Sequence, residues 1–529
     1  MKQFRLWVAA CCVAWLASAC GGGSGSTGSG STPTGPSTGT ASDSPGTPPP
    51  LPSAARGALL QSPPARTLQL TAAELKQRME QGSTRDEALL LVAGEPDCGV
   101  EVHSLQYSTV GATGEATTAS GALMLPSGSG AACNGERPLL LYAHATNPAK
   151  AYKLAAMNDS ANPAANEALV LATMYAARGY VVVAPDYAGY DGSTLPYHPF
   201  LHAGQQAGEM VDALAAARMA LAALGPAVRA GGKLFLAGYS QGGHVAMAAH
   251  RALQQAGVQV TASAPMSGPY LPSRQLDDVF AGQVHHGSTL FATLLLTSYQ
   301  RAYGNIYARA ADLYGPAWAT GIDTLLPGPG AATLLSDGLL PELALFSSTP
   351  PTAPAGTGLQ TTLNAMTPAS NTGTGLDAVF ARGFGPQPLI TNTYRLAYVQ
   401  DLLAQRDAPR HPLRIAARAN DLGDWTPAAP VLLCGGREDA TVSWPTHTLG
   451  MVQRWAGRAA FAVLDVDERP PGVADPFIAE RLGFALIKEA TVGQARLEGK
   501  DPDWEVARNY HAAVFPFCAS AARRFFGNF

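Results

Sequence analysis

The chain has 529 residues, and its 35 Lys and Arg against 39 Asp and Glu give a net charge of −4, a balance that excludes the basic stripe of a nucleic-acid binder. Charged residues are 14% of the chain, against ~25% in an average globular protein, and hydrophobic residues are 47%, so a large core can be buried. No run of 18 or more apolar residues occurs, which excludes a multi-span helical membrane protein.

Residues 1–19 read as a signal peptide. Lys2 and Arg5 supply positive charge, and the apolar stretch Leu6 to Leu16 is too short to span a bilayer. Ala17-Ser18-Ala19-Cys20 resembles a bacterial lipobox with Ala17 where leucine is usual, which implies lipidation at Cys20. The other reading is an ordinary secretory signal cleaved after Ala19. Gly21 does not look like an inner-membrane retention signal, so the expected location is the cell envelope, at the outer membrane, or outside the cell. Residues 20–66 are mostly Gly, Ser, Thr and Pro, cannot bury enough surface to offset their ordering entropy, and read as a disordered tether.

Of seven cysteines, Cys11 and Cys12 leave with the signal and Cys20 is taken by the lipid, so four remain for an exported chain, with three ways to pair. Cys98 and Cys133 flank an early hairpin and are paired on that ground, which leaves Cys434 with Cys518. None has CxxC or CxxH spacing, and no metal is expected.

The folded part opens with a capping box, Thr71-Ala72-Ala73-Glu74, on a helix that Gly82 stops. Strand patterns follow at Val100 to Val110 and Ala119 to Leu125. Leu139 to Ala143, Val181 to Ala184 and Leu234 to Ala237 are short apolar runs of the kind a doubly covered strand needs, with helices at Ala164 to Ala177 and Gly208 to Leu224 between them. Val258 to Ala264, Val431 to Leu433 and Ala460 to Val466 complete the series. The alternation implies an α/β fold with a doubly wound, mostly parallel sheet. It breaks between residues 271 and 425, where helical pieces such as Leu290 to Arg301 and Ile306 to Leu313 alternate with Pro/Gly-rich connectors. This segment reads as a helical cap inserted between a first core part, 67–270, and a second, 426–529. The alternative is a second independent domain.

The run Lys233 to Ala237 leads into Gly238-Tyr239-Ser240-Gln241-Gly242-Gly243, and a helical run, His244 to Gln254, follows. This is G-x-S-x-G in a strand–turn–helix setting, where a sharp turn lifts a serine hydroxyl above the sheet. The N–H of Gln241 and the helix N-terminus then face a developing oxyanion. A second match, Gly35-Pro36-Ser37-Thr38-Gly39, has no strand before it and no helix after it, and is read as chance.

A serine hydroxyl needs a base, and the base needs an orienting acid. In this arrangement the chain order is serine, acid, histidine. Val431 to Asp439 is a strand running into a Gly loop that ends in an acid, so Asp439 is the candidate, with Glu438 as alternative. Only His447 and His511 lie beyond it. His447 falls on the next predicted helix, so His511 is the candidate base, placed between the last strand and a C-terminal helix. The loop Tyr142-Ala143-His144-Ala145-Thr146-Asn147 follows the third strand and is similar to the H-G-x loop of esterases, with Ala145 where glycine is usual. Thr146 N–H is the candidate second oxyanion donor, and Ala145 N–H the next.

With Ala184-Pro185-Asp186-Tyr187-Ala188-Gly189-Tyr190, Tyr197-His198-Pro199-Phe200, Asp212-Ala213-Leu214, Tyr107-Ser108-Thr109 and Ser120 to Pro126, the chain resembles the α/β-hydrolase superfamily in its bacterial secreted esterase and secretory-lipase-like branch. The resemblance covers most of 95–270 and 425–529. It implies hydrolysis of carboxylic esters through an acyl-enzyme on Ser240, with Asp439 and His511 completing the triad and no cofactor. The implied partner is a small-molecule or lipid ester, with the membrane touched only through the N-terminal lipid. His198 and His202 have i, i+4 spacing but no glutamate between them, so they read as a helix or loop face. Phe291, Leu294, Leu295 and Leu296 line either an acyl pocket or the cap core. Two rivals share the fold: a serine peptidase of the prolyl-peptidase kind, and a non-catalytic binding protein on a hydrolase scaffold.

Overall fold

The computed structural model describes residues 55–369 and 373–529. The signal peptide, Cys20 and most of the expected tether lie outside the described residues.

The tether ends earlier than residue 66. Gly57 N–H donates to Ser108 O at 2.9 Å, Leu60 N–H to Gln106 O at 2.8 Å, and Arg56 pairs with Asp212 at 2.9 Å. Strand β1 (Ala65–Leu70) then pairs antiparallel with β2 (Gly99–Val110). Backbone pairing holds this stretch to the sheet, so its polar composition concealed it. The helix Ala72–Glu80 opens with the expected capping box, in which Thr71 and Glu74 satisfy each other's backbone N–H groups.

The remaining strands are β3 (Ala116–Ser127), β4 (Gly135–Ala143), β5 (Val181–Pro185), β6 (Val228–Tyr239), β7 (Ala262–Met266), a two-residue pair β8 (Phe346–Ser347) and β9 (Phe384–Gly385), β10 (Val431–Gly435) and β11 (Phe461–Asp465). Nine of them form one sheet in the order β1-β2-β3-β5-β4-β6-β7-β10-β11. It is antiparallel from β1 through the β3–β5 pairing and parallel from β5 to β11. The expected strand at Val258 shrinks to Ala262–Met266, and the expected helix from Ile306 to one turn, Ala310–Leu313.

The central strands are buried end to end, as parallel strands covered on both faces must be. The helices Ala203–Leu224 and Gln241–Gln255 cover one face. The helix Ala165–Met174, the helix Thr84–Ala93 and a C-terminal pair, Ile478–Leu497 and Pro502–Phe526, cover the other. β7 and β10 are neighbours in the sheet although residues 267–430 separate them in the chain. That segment carries the helices Pro272–Phe280, Ser288–Tyr303, Asn392–Ala404 and Pro412–Ala419, packed around a core of their own that includes Phe280, Tyr299, Tyr314, Tyr398 and Leu413.

Two disulfides are present, Cys98–Cys133 and Cys434–Cys518. The second joins β10 to the C-terminal helix across 84 residues of sequence. A loop of that length restricts the unfolded chain strongly. The pair Cys434→Ala and Cys518→Ala is expected to lose about 2–5 kcal/mol of unfolding free energy, read as a lower urea midpoint than that of the oxidised parent.

Candidate active site

Ser240 stands at the junction of β6 and the helix Gln241–Gln255, with φ 58° and ψ −121°. A non-glycine residue adopts that region only under strain, and its surroundings must hold it there. They do so by contact of backbone with backbone. A Cβ on Gly238 would lie 2.1 Å from Gly242 O, and one on Gly242 would lie 2.0 Å from Ala143 O. Ser240 N–H is tied to Met266 O at 3.0 Å. Gln241 N–H opens the helix, so it has no partner four residues back. The Gln241 side chain donates through Nε2 to His198 Nε2. His198 is buried, gives its Nδ1–H to Ala188 O at 3.0 Å, and has its pKa pushed down to about 3 by burial. It is a brace for the residue after the serine. His202 accepts the N–H of Gln205 at 3.1 Å and caps its helix.

Asp439 is buried, at 3% exposure, and lies just past β10. Its Oδ1 accepts Thr441 N–H at 2.9 Å and Val442 N–H at 3.1 Å, while Oδ2 accepts the Nδ1–H of His511 at 2.6 Å. The alternative acid, Glu438, is exposed and paired with Lys488 at 3.0 Å. His447 is buried on another path: Nδ1 accepts Leu271 N–H at 3.3 Å and Nε2 donates to Gln275 at 2.6 Å.

His511 does not sit on a connector before a C-terminal helix. It lies inside the helix Pro502–Phe526. Asp501 caps that helix and Pro502 starts it, so the helix begins a full turn and more before the histidine. Its neighbour Tyr510 packs over Gly436, accepts Glu438 N–H at 3.2 Å and donates to Asp467 at 2.8 Å, which clamps the acid loop to this helix. The Tyr239 hydroxyl donates to the His511 carbonyl. With Nδ1 committed to Asp439, His511 Nε2 has no hydrogen-bond partner, and the ring lines the same hollow as Ser240.

On the opposite side of Ser240 the loop after β4 is fixed by Glu167. Its Oε1 accepts Tyr142 OH at 2.9 Å and Ala145 N–H at 3.1 Å, and its Oε2 accepts Tyr152 OH at 2.7 Å. Ala145 N–H is therefore spent, and Thr146, the first expected donor, lines the hollow beside Ser240. His144 is stacked between Tyr152 and Tyr187, at 4.3 and 4.0 Å, and bonds Ala145 O and Asp186 O. Asp186 holds Leu154 N–H and the Ser120 hydroxyl, both at 2.7 Å.

Glu167, Tyr239, Tyr510 and His198 all support the site, and sequence reasoning missed all four as such, reading His198 as a helix or loop face. Glu167 lies in an apolar helix where a lone acid is a visible anomaly. Tyr239 and Tyr510 stand next to the serine and the histidine and carried no signal of their own.

No family model and no curated protein matches the chain. Solved structures do. The rice cell wall degrading esterase LipA from Xanthomonas oryzae, in a ligand-bound form, is 27% identical with a TM-score of 0.60, over 85% of this chain and 100% of LipA. A provisionally named hydrolase of Legionella pneumophila is 18% identical with a TM-score of 0.57, over 83% of this chain and 98% of its own. The chain has the α/β-hydrolase fold. In this fold the elbow rests on glycine at two places where no side chain fits. Gly242→Ala is expected to cost about 1–3 kcal/mol by overpacking. Gly232→Ala, whose Cβ would meet nothing within 4 Å, is expected to stay within about 0.5 kcal/mol of the parent. Thermal melting of the two variants side by side checks this.

Proposed function

We propose that this chain is an exported serine hydrolase that cleaves carboxylic esters through an acyl-enzyme on Ser240. The observation that carries the reading is His511, bonded to buried Asp439 through Nδ1 while Nε2 remains unspent on the hollow it shares with Ser240. Similarity to LipA, described as a cell wall degrading esterase, supports the reaction class. The two disulfides and the N-terminal sequence support export, and Cys20 is the proposed lipid attachment point.

His511 Nε2 takes the Ser240 hydroxyl proton as Oγ bonds to the ester carbonyl carbon. Catalytic hydrogen bonds that are long in the free enzyme tighten when substrate binds. Asp439 fixes the tautomer that leaves Nε2 as acceptor and stabilises the imidazolium. The oxyanion is held by Gln241 and Thr146 N–H groups; one such donor is worth ~3 kcal/mol of barrier. The imidazolium then protonates the leaving alkoxide as the carbon–oxygen bond breaks. Water enters, gives its proton to Nε2, and releases the acid and Ser240.

Ser240 stands between two hollows. One, of about 300 Å³, is lined by His511, Asn147, Tyr152 and Glu167. The other, of about 90 Å³, lies under the cap and is walled by Leu276, Val279, Phe291, Leu295 and Leu296, with Leu294 turned into the cap core. His511 must reach the leaving oxygen and lines only the first, so the alcohol lies there and the acyl chain in the cap cavity. A cavity of ~150 Å³ accommodates benzene, so the smaller one here suits short acyl chains.

A fluorophosphonate probe is expected to label the parent and not Ser240→Ala, and p-nitrophenyl esters of two to six carbons are expected to be cleaved faster than those of twelve or more. Labelling of Ser240→Ala at the parental level, or cleavage of a Pro-p-nitroanilide in preference to every ester, overturns the reading. Asp439→Asn, which leaves the wrong tautomer, is expected to lose about 10⁴ in kcat with the melting temperature close to the parent's.

A further inference from the structure

The wall of the cap cavity is mostly apolar, and two polar side chains on it that stand off the Ser240 turn, His285 and Ser288, have hydrogen-bonding capacity unspent. His285 and Ser288 are three residues apart at the start of the helix Ser288–Tyr303, are 8% and 4% exposed, and both line the cavity. His285 gives its Nδ1–H to His286 O at 2.8 Å. That fixes the tautomer, so Nε2 is an acceptor, and among the described residues no group donates to it. Burial pushes the His285 pKa down to about 4, and the ring stays neutral at pH 7. The Ser288 hydroxyl, which can donate and accept, is buried with no partner at all.

Of the other polar side chains on the wall, Thr146 and Ser240 belong to the proposed reacting centre, and Thr441 stands on the loop that holds Asp439. Gln275 is taken by His447. Gln241 has an unpartnered Oε1, but it sits on the turn beside Ser240. A buried polar atom without a partner carries a desolvation cost that a ligand group can remove. A plain alkyl chain fills the space and leaves both atoms unsatisfied. A carboxylate offers no proton to a neutral imidazole acceptor, and an ammonium accepts nothing from Ser288. A hydroxyl group does both: its O–H donates to His285 Nε2 and its oxygen accepts from Ser288 Oγ.

We propose that His285 and Ser288 form a hydroxyl-recognising station in the acyl cavity, so that the preferred substrates are esters of short hydroxylated acids. The inference rests on the esterase reading above and on the acyl chain lying under the cap. Sites built to bond a substrate hydroxyl discriminate against the analogue lacking it, because their own polar groups are then left unpaired.

The test compares kcat/KM for p-nitrophenyl hexanoate, 3-hydroxyhexanoate and 6-hydroxyhexanoate on the full exported chain. At least one hydroxylated ester is expected to exceed hexanoate by about tenfold or more. His285→Phe is expected to abolish that preference and Ser288→Ala to reduce it, while fluorophosphonate labelling of Ser240 reports that each variant is folded with an intact triad. The preference should return in part with His285→Asn, which restores an acceptor. Parent enzyme that cleaves hexanoate at least as well as both hydroxylated esters overturns the station and leaves the esterase reading standing. So does a preference that survives in both His285→Phe and Ser288→Ala. An enzyme inert toward all three esters and toward the probe overturns the underlying reading, and the station with it.

Discussion

The active site depends on how closely three pieces of backbone pass one another at the carboxyl edge of the sheet. Gly238, Gly242 and Ala143 approach so nearly that a methyl group at either glycine would overlap a carbonyl oxygen. This contact sets the angle between β6 and the helix that follows, and the angle forces Ser240 into its strained conformation. It also brings the loop after β4 against the N-terminus of that helix. One close approach therefore places the proposed nucleophile and both proposed oxyanion donors together. The acid and base arrive from elsewhere and are referenced to it through the β10 carboxyl end and the C-terminal helix.

Much of this was legible in the chain. The elbow announces itself because strain demands glycine at fixed spacing, and glycine is visible. The parallel strands were visible because strands covered on both faces must be apolar throughout, as in Val181-Val182-Val183. Asp439 followed from its place at the end of such a strand. Other features left no trace. β1 is an edge strand whose hold on the sheet is made by backbone groups, and these are the same in every residue. The placement of His511 inside a helix was missed because Asn509 is a common turn residue, Tyr510 and His511 are weak helix formers, and the cap of that helix lies ten residues earlier. The roles of Glu167 and Tyr510, and the one proposed for His285 and Ser288, arise only when distant segments meet, and of these residues Glu167 alone stood out locally, as the lone acid of an apolar helix.

The cap gives the site its polarity gradient. On the His511 side the walls carry Asn147, Tyr152 and Glu167, and on the cap side they are almost wholly aliphatic and aromatic. Carboxyl groups in this region are used to hold loops. Glu167 gathers two tyrosine hydroxyls and a backbone N–H, and Asp186, raised to about 7 by burial, gathers a serine hydroxyl and a backbone N–H. The reacting groups can then stay few, because other side chains carry the work of holding the loops in place.

The bridge between Cys434 and Cys518 lies five residues before the acid and seven after the base. It therefore ties together the two elements whose register the Asp439–His511 contact requires. Thiols are kept reduced in the cytosol and oxidised beyond it. On the proposed export, a newly made chain still inside the cell has the His511 helix held by noncovalent contacts alone, among them the hydrogen bonds of Tyr510 and His511, and gains its covalent anchor on crossing the membrane. The bond that stiffens the mature molecule would then double as a compartment latch, closed only where oxidants are available.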